Sequence, residues 1–166
     1  MTQDNRSKKP RCLTKLSLCN CSLHDGNALD LAHMLSVNRV LIKLVLDGNG
    51  IGDAGLTHLA NALRFNTTLT KLSMNQNYIH EGGVLSLGMA CQEQCSLRNI
   101  SLLDNSVTSV AARELARFVA GNTTLHSLQL SWCVNSAHEV SAFREWQLTS
   151  QVSVVFSLFS FSTFTE

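Results

Sequence analysis

The sequence repeats itself every 28 residues, and no other property of the chain restricts its fold as tightly. The repeated string has apolar residues at its first, fourth and sixth places, an asparagine at the ninth and an aliphatic residue at the eleventh. It begins at Leu13, Leu41, Leu69, Leu97 and Leu125. The fullest copies read Leu41, Leu44, Leu46, Asn49, Ile51; then Leu69, Leu72, Met74, Asn77, Ile79; then Leu97, Ile100, Leu102, Asn105, Val107. The first copy, Leu13, Leu16, Leu18 and Leu23, has Cys21 in the asparagine place. The fifth opens with Leu125, Leu128, Leu130 and Cys133, then departs, with Asn135 where an aliphatic residue belongs.

Each string is followed by apolar residues at helical spacing, such as Ala54, Leu56, Leu59, Ala60 and Leu63. Leu31, Leu59, Leu87, Leu115 and Phe143 form one column through the units. Ala32, Ala60, Gly88 and Ala116 form another, whose small side chains are expected to let helix approach strand layer. Asp25, Asp53, Glu81 and Ser109 share the helix start, a place suited to N-capping and to the positive end of the helix dipole. Asn38, Asn66, Gln94 and Asn122 share the helix end, and are expected to tolerate the turn back to the next strand. Strand, turn, helix and return thus fill one unit, and one unit cannot cover its own apolar side. Stacking buries a continuous core, and because strands lie about 4.8 Å apart while helices are about 10 Å wide, the stack curves with strands inside. The asparagine column is expected to satisfy backbone groups freed where each strand turns away, bonding from unit to unit.

The 28-residue period, the Ile-Gly-Asp-Ala-Gly-Leu segment at 51–56 and the Asn-Thr-Thr-Leu junctions at 66–69 and 122–125 resemble ribonuclease-inhibitor-type leucine-rich repeats, above all those of cytosolic NOD-like receptors. The resemblance runs from Leu13 to about Trp146. It implies an α/β fold: a curved leucine-rich-repeat solenoid of about five units, parallel strands on the concave face and helices on the convex face. It also implies protein recognition through the concave face, without catalysis by the repeats. Three segments follow: a basic tail over 1–12, the repeat domain over 13–146 and a Ser/Phe-rich segment over 147–166. A sixth unit would begin at Ser153, with Phe156 and Leu158 in register for its strand and Phe161 in the asparagine place. Val152–Thr165 alternates apolar residues with Ser and Thr and reads either as a last strand or as a poorly ordered tail.

Composition sets the outer limits. Apolar residues are 45% and charged residues 15%, a globular balance, and the net charge of +1 steers the chain toward neither nucleic acid nor anionic membrane. No apolar run is long enough to span a bilayer, and Met1–Arg11 lacks the apolar stretch of a secretory signal. Cytoplasmic or nuclear placement is therefore expected, with the six cysteines reduced. Arg6, Lys8, Lys9 and Arg11, interrupted by Ser7 and Pro10, read as a mobile tail rather than a localisation patch.

Candidate chemistry dissolves when placed on the repeat. Gly50-Ile51-Gly52-Asp53-Ala54-Gly55 matches a dinucleotide-binding fingerprint between strand and helix. The acidic residue expected further on is missing, that region carrying Asn75 and Asn77, and equivalent slots in neighbouring units show ordinary repeat turn. Cys19, Cys21, Cys91 and Cys95 fall on the inner face, the asparagine column, an inward helix position and a return turn. Four zinc ligands cannot converge from those places, and each is expected to be a small buried hydrophobe. The histidines (His24, His33, His58, His80, His126 and His138) are scattered and expected to be solvated. Asn20, Asn66, Asn99 and Asn122 begin formal glycosylation sequons that repeat grammar explains. No cofactor, metal or catalytic residue is called for, and the chain reads as a non-enzyme.

The inner face carries the functional expectation. Alternation along the strands places Lys15, Lys43, Lys71 and Asn99 in one column, then Val45, Ser73 and Gln129, then Asp47, Asn75 and Leu103. Gln76, Asp104 and Trp132 lie beside these, with Tyr78 close by. The lysine column suits an acidic partner, although solvated lysine is common at such places. Val45, Tyr78, Leu103 and Trp132 are apolar anchors of the kind that protein interfaces use among polar neighbours. The reading is a scaffold that binds another protein of unspecified identity. Its rivals are a regulatory fragment of a NOD-like-receptor-type protein, a GTPase-activating repeat protein, and self-association through uncapped ends.

Overall fold

The computed structural model describes residues 12–93, 95–119, 121–133 and 153–159. The basic tail up to Arg11, the expected fifth-unit helix with Val140, Phe143 and Trp146, and His138, Asn135 and Phe161 lie outside the described residues.

Strand and helix alternate as the 28-residue grammar requires: β1 (Lys15–Ser17), α1 (Asp25–Val37), β2 (Lys43–Val45), α2 (Asp53–Leu63), β3 (Lys71–Ser73), α3 (Glu81–Glu93), β4 (Asn99–Val107), α4 (Ser109–Val119), β5 (Ser127–Cys133) and β6 (Ser153–Phe159). The strands form one parallel sheet in chain order. Helices stack on helices beside it, α1 on α2, α2 on α3 and α3 on α4. The result is a leucine-rich-repeat solenoid.

Register is one unit per strand. Lys15 pairs with Lys43, Lys43 with Lys71, Lys71 with Asn99 and Asn99 with Ser127. The next step is shorter: Ser127 pairs with Ser153, a spacing of 26, so the sixth strand exists but sits two residues away from the register expected of it. The shift pairs Phe156 with Leu130 rather than Leu128.

The core lies between sheet and helices. Leu44, Leu72, Ile100 and Leu128 line up across the strands and are at most 2% exposed, as are Leu46, Met74, Leu102 and Leu130 one step along. Removing each large side chain from water contributes about 1.5–3 kcal/mol. In the first unit Leu16, Leu18 and Leu23 are only half-buried and Leu13 is exposed, because among the described residues no unit covers that side. At Gly88 the small-residue column meets the neighbouring helix. A Cβ on Gly88 would stand 2.6 Å from Cδ2 of Phe118 on α4, so the small residue there admits the neighbouring helix rather than the strand layer.

Three polar columns tie each unit to the one before it. Asn49 Oδ1 accepts from Cys21 N at 3.0 Å and Leu23 N at 3.1 Å, while its Nδ2 donates to Leu18 O at 2.8 Å and Leu46 O at 2.9 Å. Asn77 and Asn105 repeat the pattern one and two units on, accepting from Ile51 N and Ile79 N and donating to Leu46 O and Met74 O. The expected unit-to-unit bonding is therefore present.

The helix-end asparagines form a second ladder, and the turn-tolerance reading is corrected. Asn38 is extended (φ −71°, ψ 133°), not left-handed. Its Oδ1 accepts from Val40 N and Leu41 N and so shapes the return turn. Asn66 is 1% exposed; its Nδ2 donates to Leu35 O and Asn38 O, closing the end of the preceding helix, and its Oδ1 accepts from Leu69 N. Asn122 does the same toward Cys91 O and Leu125 N. The sequon asparagines Asn66 and Asn122 are thus structural.

The acidic helix-start column is the third, and it caps a different helix from the one expected. Asp25 Oδ1 accepts from Gly52 N at 2.7 Å and Gly55 N at 3.0 Å, both at the start of α2, not α1. Asp53 Oδ1 and Oδ2 accept from His80 N at 2.7 Å and Gly82 N at 3.2 Å at the start of α3. A residue inside its own first helical turn points away from that turn's free N–H groups and toward its neighbour's. The column ends at α4, where Thr108 Oγ1 accepts from Ala111 N and caps its own helix.

Candidate protein-interaction face

The third column disposes of the dinucleotide fingerprint. The positive end of α2, where a phosphate would bind, is occupied by the Asp25 carboxylate. The glycines make room for that neighbour: a Cβ on Gly55 would lie 2.6 Å from Asp25 Oδ1 and 2.6 Å from Ile51 Cγ2, and one on Gly50 would overlap His24 Nδ1.

On the concave side the sheet brings Lys15, Lys43 and Lys71 onto adjacent strands, directly paired. Lys15 and Lys71 are exposed and Lys43 is half-buried. Among the described residues none of the three has a carboxylate within ion-pair distance. Successive strands about 4.8 Å apart carry these lysines side by side, so that their charges raise one another's cost and attract a linear anion.

Beside the lysines, side chains that alternation alone left free are bonded to one another. Ser73 Oγ donates to Asp47 Oδ1 at 2.7 Å, and Asn75 Nδ2 donates to Ser73 Oγ at 3.1 Å. Ser101 Oγ donates to Asn75 Oδ1 at 2.7 Å and lies 2.9 Å from the Gln129 carboxamide. Asp47 Oδ1 also accepts from Asn75 N, and Asn75 Oδ1 from Leu103 N, taking up amides that the short ladders leave over. Asp47, Ser73, Asn75 and Gln129, expected as partner contacts, thus form a cross-strand floor with settled geometry. A depression of about 260 Å³ opens above it, between Lys43, Lys71 and Asn99 on one side and Asn75, Ser101 and Gln129 on the other.

The remaining expected contacts divide. Val45 and Leu103 are half-buried on the ladder. Gln76 and Asp104 are exposed and meet only at 3.4 Å. Tyr78 is 68% exposed but lies beyond the strand, bridged to Gly52 in the loop that leads to α3, so it belongs to the rim rather than to the concave ladder. Trp132 is placed by its backbone, in β5 between Val107 and Leu158.

The cysteines divide as well. Cys19 and Cys21 are exposed rather than buried, because they belong to the first unit with its uncovered side. Cys91 and Cys95 are buried, the first on α3 and the second in the return that follows it. They line a cavity of about 420 Å³ where helices return to strands, beside the Arg64–Glu93 ion pair that joins the ends of α2 and α3. Among the described residues no group of three or more His, Cys, Asp or Glu converges as metal ligands do. No helix of the described residues is long and apolar enough to cross a membrane.

A family model described as "Leucine Rich repeat" matches residues 37–60 and 121–134. A search of the curated proteins found no match to the sequence. Among solved structures, the fold is similar to that of leiomodin-1 actin-binding site 2, with a TM-score of 0.70, 20% identity, 82% of this chain covered and 79% of that chain. At that identity the likeness concerns the fold.

Proposed function

We propose that the chain is a non-catalytic protein-interaction scaffold of the ribonuclease-inhibitor-like type, and that it recognises an extended acidic segment of a partner protein along its concave face. The 28-residue period with a full α-helix in each of the first four units supports the subtype. The observation that carries the partner class is the column Lys15–Lys43–Lys71, held in register and unopposed by any carboxylate among the described residues. An extended segment crossing the strands meets one ammonium group per strand, and the bonded floor beside them is fixed before binding, which lowers the ordering cost of association. Val45 and Leu103 supply apolar contact along the same ladder.

The test is fluorescence anisotropy with a labelled oligo-glutamate peptide. Binding is expected to weaken as salt is raised and to fall at least tenfold in the Lys43→Glu/Lys71→Glu variant, with thermal stability unchanged. Equal binding by wild type and variant removes the lysine column from the reading, and tighter binding of a single-stranded RNA of matched length overturns the protein-partner reading. Because the leiomodin-1 neighbour is an actin-binding site, actin co-sedimentation with the same variant is the first trial with a folded protein.

A further inference from the structure

The basic column does not end at β3. Asn99 and Ser127 follow Lys15, Lys43 and Lys71 in register, and each is directly preceded by a basic residue, Arg98 and His126. On β4 and β5 the column therefore steps one residue toward the strand starts. His126 N and Ser127 N both donate to Arg98 O, which places the two residues on adjoining strand entrances.

An open depression of about 280 Å³ lies at this step, between the strand entrances and the return turns that lead into them. Among the described residues no carboxylate lines it, and Glu93, on the neighbouring cavity, is engaged by Arg64. Its polar groups divide into spent and unspent. Thr70 Oγ1 donates to Ile42 O at 3.4 Å, Ser96 Oγ to Leu69 O at 2.7 Å and Thr124 Oγ1 to Cys95 O at 2.9 Å. The Arg98 guanidinium and the hydroxyls of Thr67 and Thr123 have no partner among the described residues, and all three residues are exposed. His126 is exposed as well, and one of its ring nitrogens is settled. Nδ1 lies 2.6 Å from Thr124 O, a carbonyl that can only accept, so Nδ1 carries a hydrogen and Nε2 is left for a ligand.

These groups discriminate among anions. The guanidinium fork pairs with two oxygens of a phosphate. The neutral ring offers Nε2 as an acceptor, against which a carboxylate or a sulfate brings only further acceptors. A phosphate monoester, with its second pKa at about 6, brings an O–H to a neutral Nε2 or a bare oxygen to a protonated one. One proton serves the pair in either state. The lysines supply the approach: an extended segment crossing β1 to β3 reaches this depression one strand further on, about 4.8 Å away.

We propose that the depression at Arg98 and His126 binds the phosphate of a phosphoserine or phosphothreonine carried by the acidic segment that crosses the lysine column. The segment rests on the function proposed above; the phosphate pocket rests on its own geometry.

The test separates the two. Labelled oligo-glutamate peptides with one serine at either end, phosphorylated or replaced by glutamate, are compared by fluorescence anisotropy on the full chain. At one end the phosphate is expected to tighten binding at least tenfold over glutamate in the same place. That gain is expected to vanish in Arg98→Ala, to be partly kept in Arg98→Lys and to shrink in His126→Ala, while the glutamate peptide binds all three variants as it binds the wild type. Lys43→Glu/Lys71→Glu is expected to weaken both peptides and keep their ratio. Equal binding of phosphorylated and glutamate peptides at both ends overturns the proposal. So does a gain that survives in Arg98→Ala, or displacement of the phosphopeptide by sulfate as readily as by inorganic phosphate at matched ionic strength. A phosphopeptide that binds through Arg98 where the glutamate peptide does not bind at all upholds the pocket and removes the acidic-segment reading instead.

Discussion

Strands β2 and β3 stop after three residues, whereas β5 and β6 run for seven on the same sheet. The apolar columns beneath β2, β3 and β5 are alike, so the core does not set the length. Two adjacent places at the strand exit do. Asn20, Gly48, Gln76 and Asp104 occupy the first and are all left-handed, with φ between 53° and 68°. Cys21, Asn49, Asn77 and Asn105 follow. The left-handed residue turns the chain out of the strand, and from the second unit on the carboxamide takes up the backbone groups set free. Even β4, which pairs again at Val107, loses register between Leu102 and Val107. The fifth unit puts Trp132 and Cys133 in those places, and its ladder runs straight through to Cys133, paired with Phe159. A bulky aromatic residue is disfavoured in the left-handed region, and a thiol lacks the donor and acceptor set of an amide.

The largest effect is expected from moving that difference across. Trp132→Asn with Cys133→Asn installs the regular exit in the fifth unit. The amides of residues 131–133 are then expected to exchange with solvent at least tenfold faster by hydrogen-exchange mass spectrometry, while those of 127–129 keep their protection. Unchanged exchange at 131–133 means that pairing with β6, not the exit residues, sets the length of β5.

Next is the reverse lesion, in the regular region. Asn77→Ala strips the partner from Ile51 N inside the stack, where Asn77 is 6% exposed, while Leu46 O keeps its bond from Asn49 Nδ2. An orphaned buried donor costs about 1–3 kcal/mol, so about 2 kcal/mol is expected from urea denaturation. A loss under about 1 kcal/mol, as from an ordinary surface substitution, puts the work of the exit on the left-handed residue alone.

Most of this architecture was legible because one period fixes both register and face. Once Leu44, Leu72 and Ile100 share a column, the pairing of Lys43 with Lys71 and Asn99 follows without any geometry. Outside the strand-exit asparagine column, what escaped were the bonds in which one unit's side chain serves another unit's backbone. Asp25 reads as a cap for its own helix because helix-start rules look along the chain, whereas its partners Gly52 and Gly55 are a unit away. The signal was present: Asp25 and Asp53 are each followed, one unit on, by glycines at the helix start. Asp47 and Asn75 on the concave side escaped in the same way, since alternation says which side a residue faces and not whether its neighbour already holds it. The shifted register of β6 escaped because Phe161 stands where an asparagine would have marked the place.

The smallest effect is expected at the contact that looks strongest on inspection. Arg64 meets Glu93 through two hydrogen bonds, Nε to Oε2 at 2.8 Å and Nη2 to Oε1, joining the ends of adjacent helices. Both side chains are well exposed, 41% and 52%, so water and salt screen the pair and holding two long side chains offsets much of the attraction. Arg64→Ala is expected to cost about 0.5 kcal/mol, and less in molar salt. Asp25→Ala removes a half-buried carboxylate from two backbone N–H donors that have no other partner among the described residues, and is expected to cost about 1.5 kcal/mol. Measured side by side in urea, the order decides what joins one unit to the next. If Arg64→Ala is the costlier change, side-chain ion pairs hold the stack; if Asp25→Ala is, the units are held by polar side chains reaching into their neighbours' unfinished backbone, which is also what ends the strands.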